Sequence, residues 1–529
     1  MLVLRTVKNS SSIAIARQRA CCYTCTRVCI RARPSRWAYN AVKSESAAPE
    51  LDRHDSKLKL GVGAASGVQK ALECKLSRSN SPNVKVLDCL PVTSYTGLLS
   101  SSGKARNPGG LNTVLESYSG QPADDRIPLH GGLPHPDAFP ISQLSVKLKC
   151  GASLSIDNVD LVTDAQQYAT HLLGLPQLQE WTQEHVSLQH DPPGPFQVLV
   201  SNGSNHAIEM VTDLLLERGD SILVEEYTYF YMVDSVLPVK GYHAVPLKMD
   251  NQGICPNNLR KVLAERAVSG QVPRVLYTVP TGHNPTGIVT PLGRKREVYS
   301  VCQEYGITII EDDAYYYLQY PCLQGAVPGL QQLVPSYLSI DTDSRVVRLD
   351  SWSKVLAPGL RLGWVTGHPD VVDLMALALH ASLNGPPGIS QALMIAVTQH
   401  WGANGFREHC IHMQQVYQHR ANVMHTAAAK ALAHLAEWQR PQAGMFIWLK
   451  LSGVEDIDEV ASELVQANVM VLPGKLAHCH GATAAYPCPF IRLSFANASE
   501  AQIADGMQRL GNVLRKHEQI GLDELTNVP

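Results

Sequence analysis

The chain has 529 residues, of which 45% are hydrophobic and 17% are charged, and its formal net charge is −2. This length exceeds what one compact core supports, so at least two domains are expected. The near-neutral charge gives no general case for nucleic-acid binding, and no apolar run is long enough to span a bilayer. We therefore expect neither a nucleic acid nor a membrane as a partner.

Residues 1–44 differ in charge from everything that follows. They hold nine Lys and Arg residues and no acid, whereas the remainder holds 36 basic against 47 acidic residues. An Arg-rich, Ser-containing, acid-free N-terminus is typical of an organelle transit peptide. The segment predicts mitochondrial targeting, and the alternatives are a plastid or a disordered basic tail on a cytoplasmic protein.

The cysteines and the following segment carry little chemistry. Cys21, Cys22, Cys25 and Cys29 cluster inside the expected transit peptide without a nearby histidine, so no metal site is predicted; the other nine are scattered like free thiols. Residues 45–104 are rich in Ser, Gly and Lys and show no sustained period. They predict a disordered linker, with order beginning near residue 105.

From residue 197 onward, short β-branched stretches alternate with helical ones such as 206–218 and 291–305. The predicted strands are residues 197–201, 221–225, 274–278, 306–311 and 345–349. This alternation predicts an α/β fold with a mainly parallel sheet covered on both faces. From about residue 401 the pattern changes to a long helix and an α+β segment, which predicts a second, smaller domain. Ligands of such sheets bind beyond the carboxyl ends of the strands.

The last of these strands leads into the most informative stretch, in which Lys354 follows Ser351 and Ser353 and precedes Arg361 by seven residues. A lysine amine can form a Schiff base with an aldehyde. Hydroxyl groups and a guanidinium can bind a phosphate dianion. The combination indicates pyridoxal phosphate, the electron sink of amino-acid chemistry, and the alternative is a solvated surface lysine.

The ends of the other strands carry groups that suit the same cofactor. The sequence 203–205 (Gly-Ser-Asn) opens a helix whose free N–H groups can bind phosphate. An aromatic residue within 227–231 can stack on a ring, and Asn284 can donate to a phenolate oxygen. One acid of the pair at 312–313 can meet a pyridinium N–H, and Tyr316 can hydrogen-bond to the phenolic oxygen.

Arg492 lies in an alternating stretch of the second domain, and its planar fork matches a substrate carboxylate. Its alternative is a surface charge on an edge strand. Each of the other groups also has an ordinary alternative, such as a helix cap, simple packing or a plain turn. Their succession at the ends of consecutive strands is what indicates one site.

Together these residues resemble fold-type I pyridoxal-phosphate aminotransferases, in particular the kynurenine/2-aminoadipate aminotransferase group that includes fungal aromatic aminotransferases. The resemblance runs from about Ala105 to the C-terminus. It includes the short motifs at residues 105–108, 131–136, 167–168, 174–176, 277–280, 443–446 and 472–474.

The resemblance implies a role for each site residue. Lys354 would hold the cofactor and move the proton at the substrate Cα, and Asp313 would pair with the pyridine nitrogen. Tyr316 and Asn284 would hold the phenolic oxygen, and Tyr229 would stack on the ring. The phosphate would be surrounded by Ser204, Asn205, Ser351, Ser353 and Arg361. Arg492, with Asn284, would bind the substrate carboxylate, and Tyr168 would reach the phosphate of a neighbouring subunit in a homodimer with shared sites.

The resemblance also implies an organisation and a reaction. We expect a segment 105–165 that contributes to the cover of the site and to the small domain, a large cofactor-binding domain 166–400 and a small domain 401–529. The reaction would be ping-pong transfer of an amino group to a 2-oxo acid such as 2-oxoglutarate. The amino donor would be 2-aminoadipate, kynurenine, or an aromatic or large aliphatic amino acid.

One departure from the family concerns the substrate. Where the family often has Ile-Arg, this chain has Leu111 and Asn112, which weakens the case for an acidic donor side chain. Two alternatives remain open. A transcription regulator with an aminotransferase-like domain is disfavoured because residues 45–104 show no amphipathic helix pair. A cofactor-dependent β-lyase remains open because lyases and aminotransferases share a carbanion step.

Overall fold

The computed structural model describes residues 95–107, 117, 127, 129–169, 171–320, 329–481 and 486–526. The expected transit peptide, most of the expected linker, and Leu111 with Asn112 lie outside the described residues. None of the described helices is long and apolar enough to cross a membrane. Among the described residues, no cluster of His, Cys, Asp and Glu could hold a metal ion.

The described residues alternate between helices and strands over most of their length. The strands are β1 Leu144–Lys147, β2 Ser153–Ile156, β3 Gln197–Ser201, β4 Ser221–Glu225, β5 His243–Leu247, β6 Met249–Asp250, β7 Gly253–Ile254, β8 Val275–Thr278, β9 Thr308–Asp312, β10 Val346–Ser351, β11 Gly363–Gly367, β12 Ala436–Trp438, β13 Phe446–Leu451, β14 Leu472–Pro473 and β15 Phe490–Ser494. The helices are α1 Ser101–Ala105, α2 Val159–Gln166, α3 Pro176–His190, α4 Ser204–Leu215, α5 Leu237–Lys240, α6 Pro256–Val268, α7 Leu292–Tyr305, α8 Trp352–Val355, α9 Pro369–Leu383, α10 Gly388–Ala431, α11 Asp458–Gln466 and α12 Glu500–Thr526.

The central sheet has seven strands in the order β3-β11-β10-β9-β8-β4-β5. Strands β10, β9, β8, β4 and β5 run parallel, and β11 runs antiparallel to both of its neighbours. Every residue of β8, β9 and β10 is buried, as expected of parallel strands covered on both faces. The predicted fold class, an α/β fold with a mainly parallel sheet, is confirmed.

Two differences from the predicted strands affect the site. Strand β9 continues to Asp312 and β10 to Ser351. The side chains of the polar residues at these strand ends therefore point alternately to the two faces of the sheet. Strand β11 was not predicted, because its two terminal glycines are typical of a turn. Gly363 is required there: a Cβ at this position would lie 2.5 Å from the Asp350 carbonyl oxygen.

A second sheet of four antiparallel strands, in the order β12-β13-β15-β14, has its own hydrophobic core. Helix α10 joins the two cores. Its first part contributes Ile395 to the core of the central sheet, and its last part contributes Met424 to the core of the second sheet. Between them the helix is interrupted at Gly402, where φ is 55° and ψ is −169°.

Residues 95–104, which the sequence places in a disordered linker, are packed against the central fold. Tyr95 is fully buried, and its hydroxyl donates to the Ser344 carbonyl at 2.7 Å. Ser100 caps α1 by accepting from the Gly103 N–H at 3.0 Å. A Cβ at Gly103 would lie 2.6 Å from the Leu214 carbonyl oxygen. The linker prediction is therefore wrong for its last ten residues. Their small side chains allow the backbone to pack closely against the central fold, as at Gly103.

Candidate active site

A cavity of about 170 Å³ lies at the carboxyl ends of the parallel strands. Its lining residues are Ser204, Asn205, Tyr229, Val279, Asn284, Asp312, Ala314, Tyr315, Ser351, Ser353, Lys354, Pro358 and Arg361. Eight of the predicted site residues are therefore brought together. Arg492 reaches the same place through Asn284, whereas Tyr168, Asp313 and Tyr316 do not line the cavity.

Lys354 lies in α8, the single helical turn that begins where β10 ends. Ser351 caps this turn, because its hydroxyl accepts from the Ser353 N–H at 3.1 Å. The Lys354 amine lies 5.9 Å from the centre of the Tyr315 ring. Burial lowers the pKa of this amine, and the nearby Arg361 and Arg492 guanidinium groups lower it further. These effects favour the neutral amine, which is the nucleophilic form.

One end of the cavity is built to bind an anion. Gly203, at a φ of 85°, precedes α4 without a side-chain cap, so the first N–H groups of that helix are free for a ligand. The Arg361 guanidinium lies beside this turn, 3.1 Å from where a Gly203 Cβ would be. Arg361 is held by a hydrogen bond to the Pro358 carbonyl at 2.9 Å and lies 3.5 Å from the Ser353 hydroxyl.

The acid that lines the cavity is Asp312, and the tyrosine is Tyr315. Asp313 instead accepts a hydrogen bond from Arg348 at 2.8 Å. Tyr316 accepts from the Gln189 amide at 3.2 Å and stacks on the Arg348 guanidinium. The predictions for Asp313 and Tyr316 are therefore wrong by one residue.

Strand alternation explains this correction. Successive side chains of a strand point to opposite faces of the sheet. On β9, Asp312 faces the cavity and Glu311 faces away, and Asp313 continues the alternation on the Glu311 side. The neighbouring strand matches, because Ser351 faces the cavity while Arg348 and Asp350 lie with Glu311 and Asp313.

Asp312 has one oxygen bound and one open. Its Oδ2 accepts from the Tyr277 hydroxyl at 2.7 Å. Its Oδ1 is buried and has no hydrogen-bond partner among the described residues. Burial raises the pKa of this carboxyl to about 6, against the opposing effect of the Tyr277 hydrogen bond. An open, buried carboxylate oxygen suits a cationic N–H donor, which the pyridinium nitrogen of pyridoxal phosphate provides.

On the other side of the cavity, Arg492 of β15 donates to the side-chain amide oxygen (Oδ1) of Asn284 at 2.7 Å. Because this bond uses the oxygen of the amide, the nitrogen of Asn284, which lines the cavity, is the atom that can donate to a phenolic oxygen. The Nε of Arg492 is buried and lacks a partner among the described residues. The guanidinium lies 4.2 Å from the Phe446 ring centre and 6.0 Å from that of Phe230. The arginine is thus held in place with donors left for a carboxylate.

Sequence reasoning did not identify Tyr277, Phe230 and Phe446 as site residues. Tyr277 is fully buried in β8; it begins one of the short motifs shared with the family, but that motif assigned it no role in the site. Phe230 could have been noticed, because it belongs to the aromatic run at 227–231 and lies against Tyr229, with ring centres 5.0 Å apart. Tyr168 is 55% exposed and lies away from the cavity.

Comparisons with known proteins agree with this geometry. The family model for aminotransferase class I and II matches residues 169–510. The chain is 31% identical over 437 residues to the mitochondrial kynurenine/alpha-aminoadipate aminotransferase of Bos taurus, covering 80% of this chain and 99% of that protein. It is 32% identical over 431 residues to an aromatic amino acid aminotransferase of Schizosaccharomyces pombe, covering 74% and 91%.

Among solved structures, the aminotransferase Aro8 of Candida albicans superposes with a TM-score of 0.73 at 29% identity, covering 81% of this chain and 99% of that chain. These relatives confirm the resemblance to fold-type I aminotransferases, and they support an aminotransferase over a transcription regulator or a β-lyase. The chain belongs to the class I and II aminotransferases.

Proposed function

We propose that this aminotransferase binds pyridoxal phosphate in the cavity around Lys354 and takes the amino group from an aromatic amino acid or from kynurenine. A 2-oxo acid accepts the group in a second half-reaction. The observation that carries the proposal is the placement of a half-buried lysine amine and a buried, unpartnered Asp312 oxygen in one cavity. Few other cofactors need an amine, a carboxylate and an anion site together.

Each end of the cofactor has a matching group. Ser204, Asn205 and Arg361, with the free N–H groups of α4, bind the phosphate, helped by Ser351 and Ser353. Asp312 pairs with the ring nitrogen, and Tyr277 fixes that carboxylate. Asn284 and Tyr315 hold the phenolic oxygen. Tyr229, tethered by its hydroxyl to Asn205 at 3.4 Å, covers the ring.

The bound cofactor supplies an electron sink for the charge that develops at the substrate Cα. Arg492 binds the substrate carboxylate and so fixes the orientation of the Cα–H bond. The Lys354 amine, with its pKa lowered, would accept the proton from the substrate Cα and so act as the base of each half-reaction. The same lysine serves both half-reactions, which is consistent with a ping-pong order.

Two aromatic rings favour an aromatic donor. Phe446 and Phe230 flank Arg492, so a side chain extending from a carboxylate held there meets apolar surface. Among the described residues that line the cavity or reach it through Asn284, the cations are Lys354, Arg361 and Arg492, and each already has a role. A second carboxylate, as in 2-aminoadipate, has no described cation to meet. The relative from Schizosaccharomyces pombe is named for aromatic amino acids, and the relative from Bos taurus is named for both kynurenine and alpha-aminoadipate, so the preference for an aromatic donor rests on the two rings.

The test is a half-reaction screen with phenylalanine, kynurenine, leucine, methionine and 2-aminoadipate. Loss of the absorbance of the bound aldehyde reports each donor directly. Phenylalanine and kynurenine should react fastest, and Lys354→Ala should fold yet react with none. A fastest reaction with 2-aminoadipate would overturn the substrate class, and conversion by Lys354→Ala would overturn the role of the lysine.

We also propose a homodimer with shared sites, in which Tyr168 reaches the phosphate of the partner subunit. Exposed apolar side chains on neighbouring segments support it. The loop after α2 contacts the end of α9 through a hydrogen bond from the Ala169 N–H to the Asn384 carbonyl at 3.2 Å. The exposed apolar side chains of α2, of the loop after it, of residues 383–389 and of the segment 129–133 are Leu129, Leu133, Val159, Tyr168, Leu172, Leu383 and Ile389. Sedimentation equilibrium should give twice the chain mass, and a monomer at micromolar concentration would contradict the dimer.

For localisation and organisation we propose a mitochondrial protein with domains at 166–400 and 401–529. The acid-free, basic segment 1–44 and the mitochondrial relative from Bos taurus support the first proposal. The two hydrophobic cores and the interruption of α10 at Gly402 support the second. Residues 1–44 fused to a fluorescent protein should direct it to mitochondria, and a diffuse or plastid signal would contradict the targeting.

A further inference from the structure

A group of four charged side chains lies behind the sheet, on the face away from the cavity. They are Glu311, Asp313, Arg348 and Asp350, and all are buried. Arg348 binds the Asp350 carboxylate with two donors, at 2.7 and 2.8 Å. It also donates to Asp313 at 2.8 Å and lies 3.2 Å from Glu311. We name this group the Arg348 cluster.

The cluster joins the two strand ends that carry the cofactor-binding residues. Asp313 directly follows Asp312, the last residue of β9. Asp350 directly precedes Ser351, the last residue of β10, after which α8 carries Lys354. One guanidinium that binds both Asp313 and Asp350 therefore fixes the Asp312 strand end relative to the Lys354 strand end. The planar guanidinium of arginine has donors on several sides, so it can bind two carboxylates at the same time.

The cluster also sets the charge next to Asp312. Three carboxylates there share one guanidinium, with the buried Lys295 amine of α7 as a second cation near Asp313 and Glu311. Asp313 acts to raise the pKa of the Asp312 carboxyl, and Arg348 acts to lower it. The other titratable and charged groups that face Asp312 are Tyr277 of β8, Tyr229, Tyr315, Lys354, Arg361 and Arg492. Removing the guanidinium thus leaves the Asp313 charge offset only by the Lys295 amine, beside a carboxylate that must be ionised.

We infer that Arg348 is a positioning residue for the cofactor site, which holds the ends of β9 and β10 in register and offsets the charge of Asp313 so that Asp312 remains an ionised partner for the ring nitrogen. The inference rests on the proposed cofactor site and adds residues that never touch the cofactor. It also explains why two acids are adjacent in the sequence, since Asp312 faces the cavity and Asp313 binds Arg348 in the Arg348 cluster.

The experiment measures the dissociation constant of pyridoxal phosphate from the full-length apoenzyme between pH 5 and 8.5. The variants are Arg348→Lys and Asp313→Asn. Lysine keeps the positive charge. Its single amine cannot make both hydrogen bonds to Asp350 and the further one to Asp313 that the Arg348 guanidinium makes. The matched control is Arg345→Lys, because Arg345 is a buried arginine in the residue before β10, paired with Asp343 at the opposite end of the strand.

For Arg348→Lys we expect about tenfold weaker binding at pH 7, because the β9 and β10 ends lose the contact that positions them. The midpoint pH of the loss of binding should also rise, because an amine without the bidentate contacts offsets the Asp313 charge less well than the guanidinium does. For Asp313→Asn we expect this midpoint to fall below that of the wild type, because a neighbouring negative charge is removed. Arg345→Lys should keep the wild-type dissociation constant and midpoint even if its melting temperature drops.

Wild-type affinity and midpoint in Arg348→Lys would overturn the inference, as would an equal loss in Arg345→Lys, which would make the effect one of general core stability. If Arg348→Lys does not fold, Asp313→Asn decides: a lowered midpoint supports the inference and a raised or unchanged one overturns it. Failure of the wild type to bind pyridoxal phosphate would overturn the proposed function itself, which is a different result.

Discussion

Asp312 and Asp313 are adjacent in the chain but serve opposite faces of the central sheet. Asp312 faces the cavity with one oxygen bound to Tyr277 and the other open, and Asp313 faces the Arg348 cluster. Burying two neighbouring carboxylates is costly unless each meets a suitable partner. Each acid has one bound oxygen and one without a partner among the described residues, but only Asp312 lines the cavity, where its open oxygen can meet a ligand.

The first prediction separates these acids by their effect on rate. Asp312→Asn should slow the half-reaction with the best donor by about 10²- to 10³-fold, the range seen when a preorganised electrostatic group is lost. Asp313→Asn should slow it by less than about tenfold. Single-turnover absorbance measurements on both variants give the comparison. The reverse order would restore Asp313 as the partner of the ring nitrogen.

The second prediction concerns Arg492. Replacement by Met removes the donors for the substrate carboxylate, and hydrogen bonds to charged groups contribute about 1.5–3 kcal/mol each. The kcat/KM for the amino donor should fall at least about tenfold, mainly through KM, because the contact forms on binding. Arg509→Met, which breaks an exposed pair with Asp505, is the control and should keep wild-type kinetics. Equal KM in Arg492→Met and wild type would remove Arg492 from the site.

The third prediction tests the aromatic wall. Phe230→Ala should lower kcat/KM for phenylalanine by about tenfold, which corresponds to losing part of one aromatic contact. The kcat/KM for 2-aminoadipate should change much less, so the ratio of kcat/KM for phenylalanine to that for 2-aminoadipate becomes smaller. Leu188→Ala removes an exposed side chain of α3 and controls for a general effect of truncation. A uniform loss for every donor would show that Phe230 supports the fold and does not select the substrate.

The fourth prediction is a pH effect on stability from Glu225. This buried carboxylate accepts bonds from the Thr278 hydroxyl and the Val279 N–H, yet burial raises its pKa from 4.5 to about 7. The folded state therefore holds the proton more tightly than the unfolded state. Its contribution to stability is full below about pH 4.5 and is lost as the pH rises through about 7.

Glu225→Gln keeps the shape of the side chain and cannot ionise. Its free energy of unfolding should fall less than that of the wild type between pH 5 and 7.5, by up to about 3 kcal/mol. Urea unfolding at several pH values measures the difference. Because other buried acids are present in both proteins, they cancel in the comparison. Identical pH slopes would mean that Glu225 stays ionised throughout.

The sequence predicted the fold class well because buried parallel strands alternate with helices in a regular pattern. It also singled out Lys354, Arg361 and Asn284, which lie in the loops and the short helix beyond strand ends and line the cavity. It missed the face of each acid in the 312–313 pair. That choice depends on where β9 ends and on Arg348 in a neighbouring strand, which are both long-range facts. Arg492 of the second sheet meets Asn284, in the loop after β8 of the central sheet, only because the two sheets approach each other.

The most direct test of the account is to find which lysine carries the cofactor. Borohydride reduction of the holoenzyme fixes the bound aldehyde to its lysine, and peptide mass spectrometry locates the added pyridoxyl group. The account predicts the modification on Lys354 at close to one group per chain, and none on the buried Lys295. Modification of a different lysine, or none after reduction of an enzyme that contains the cofactor, would contradict it.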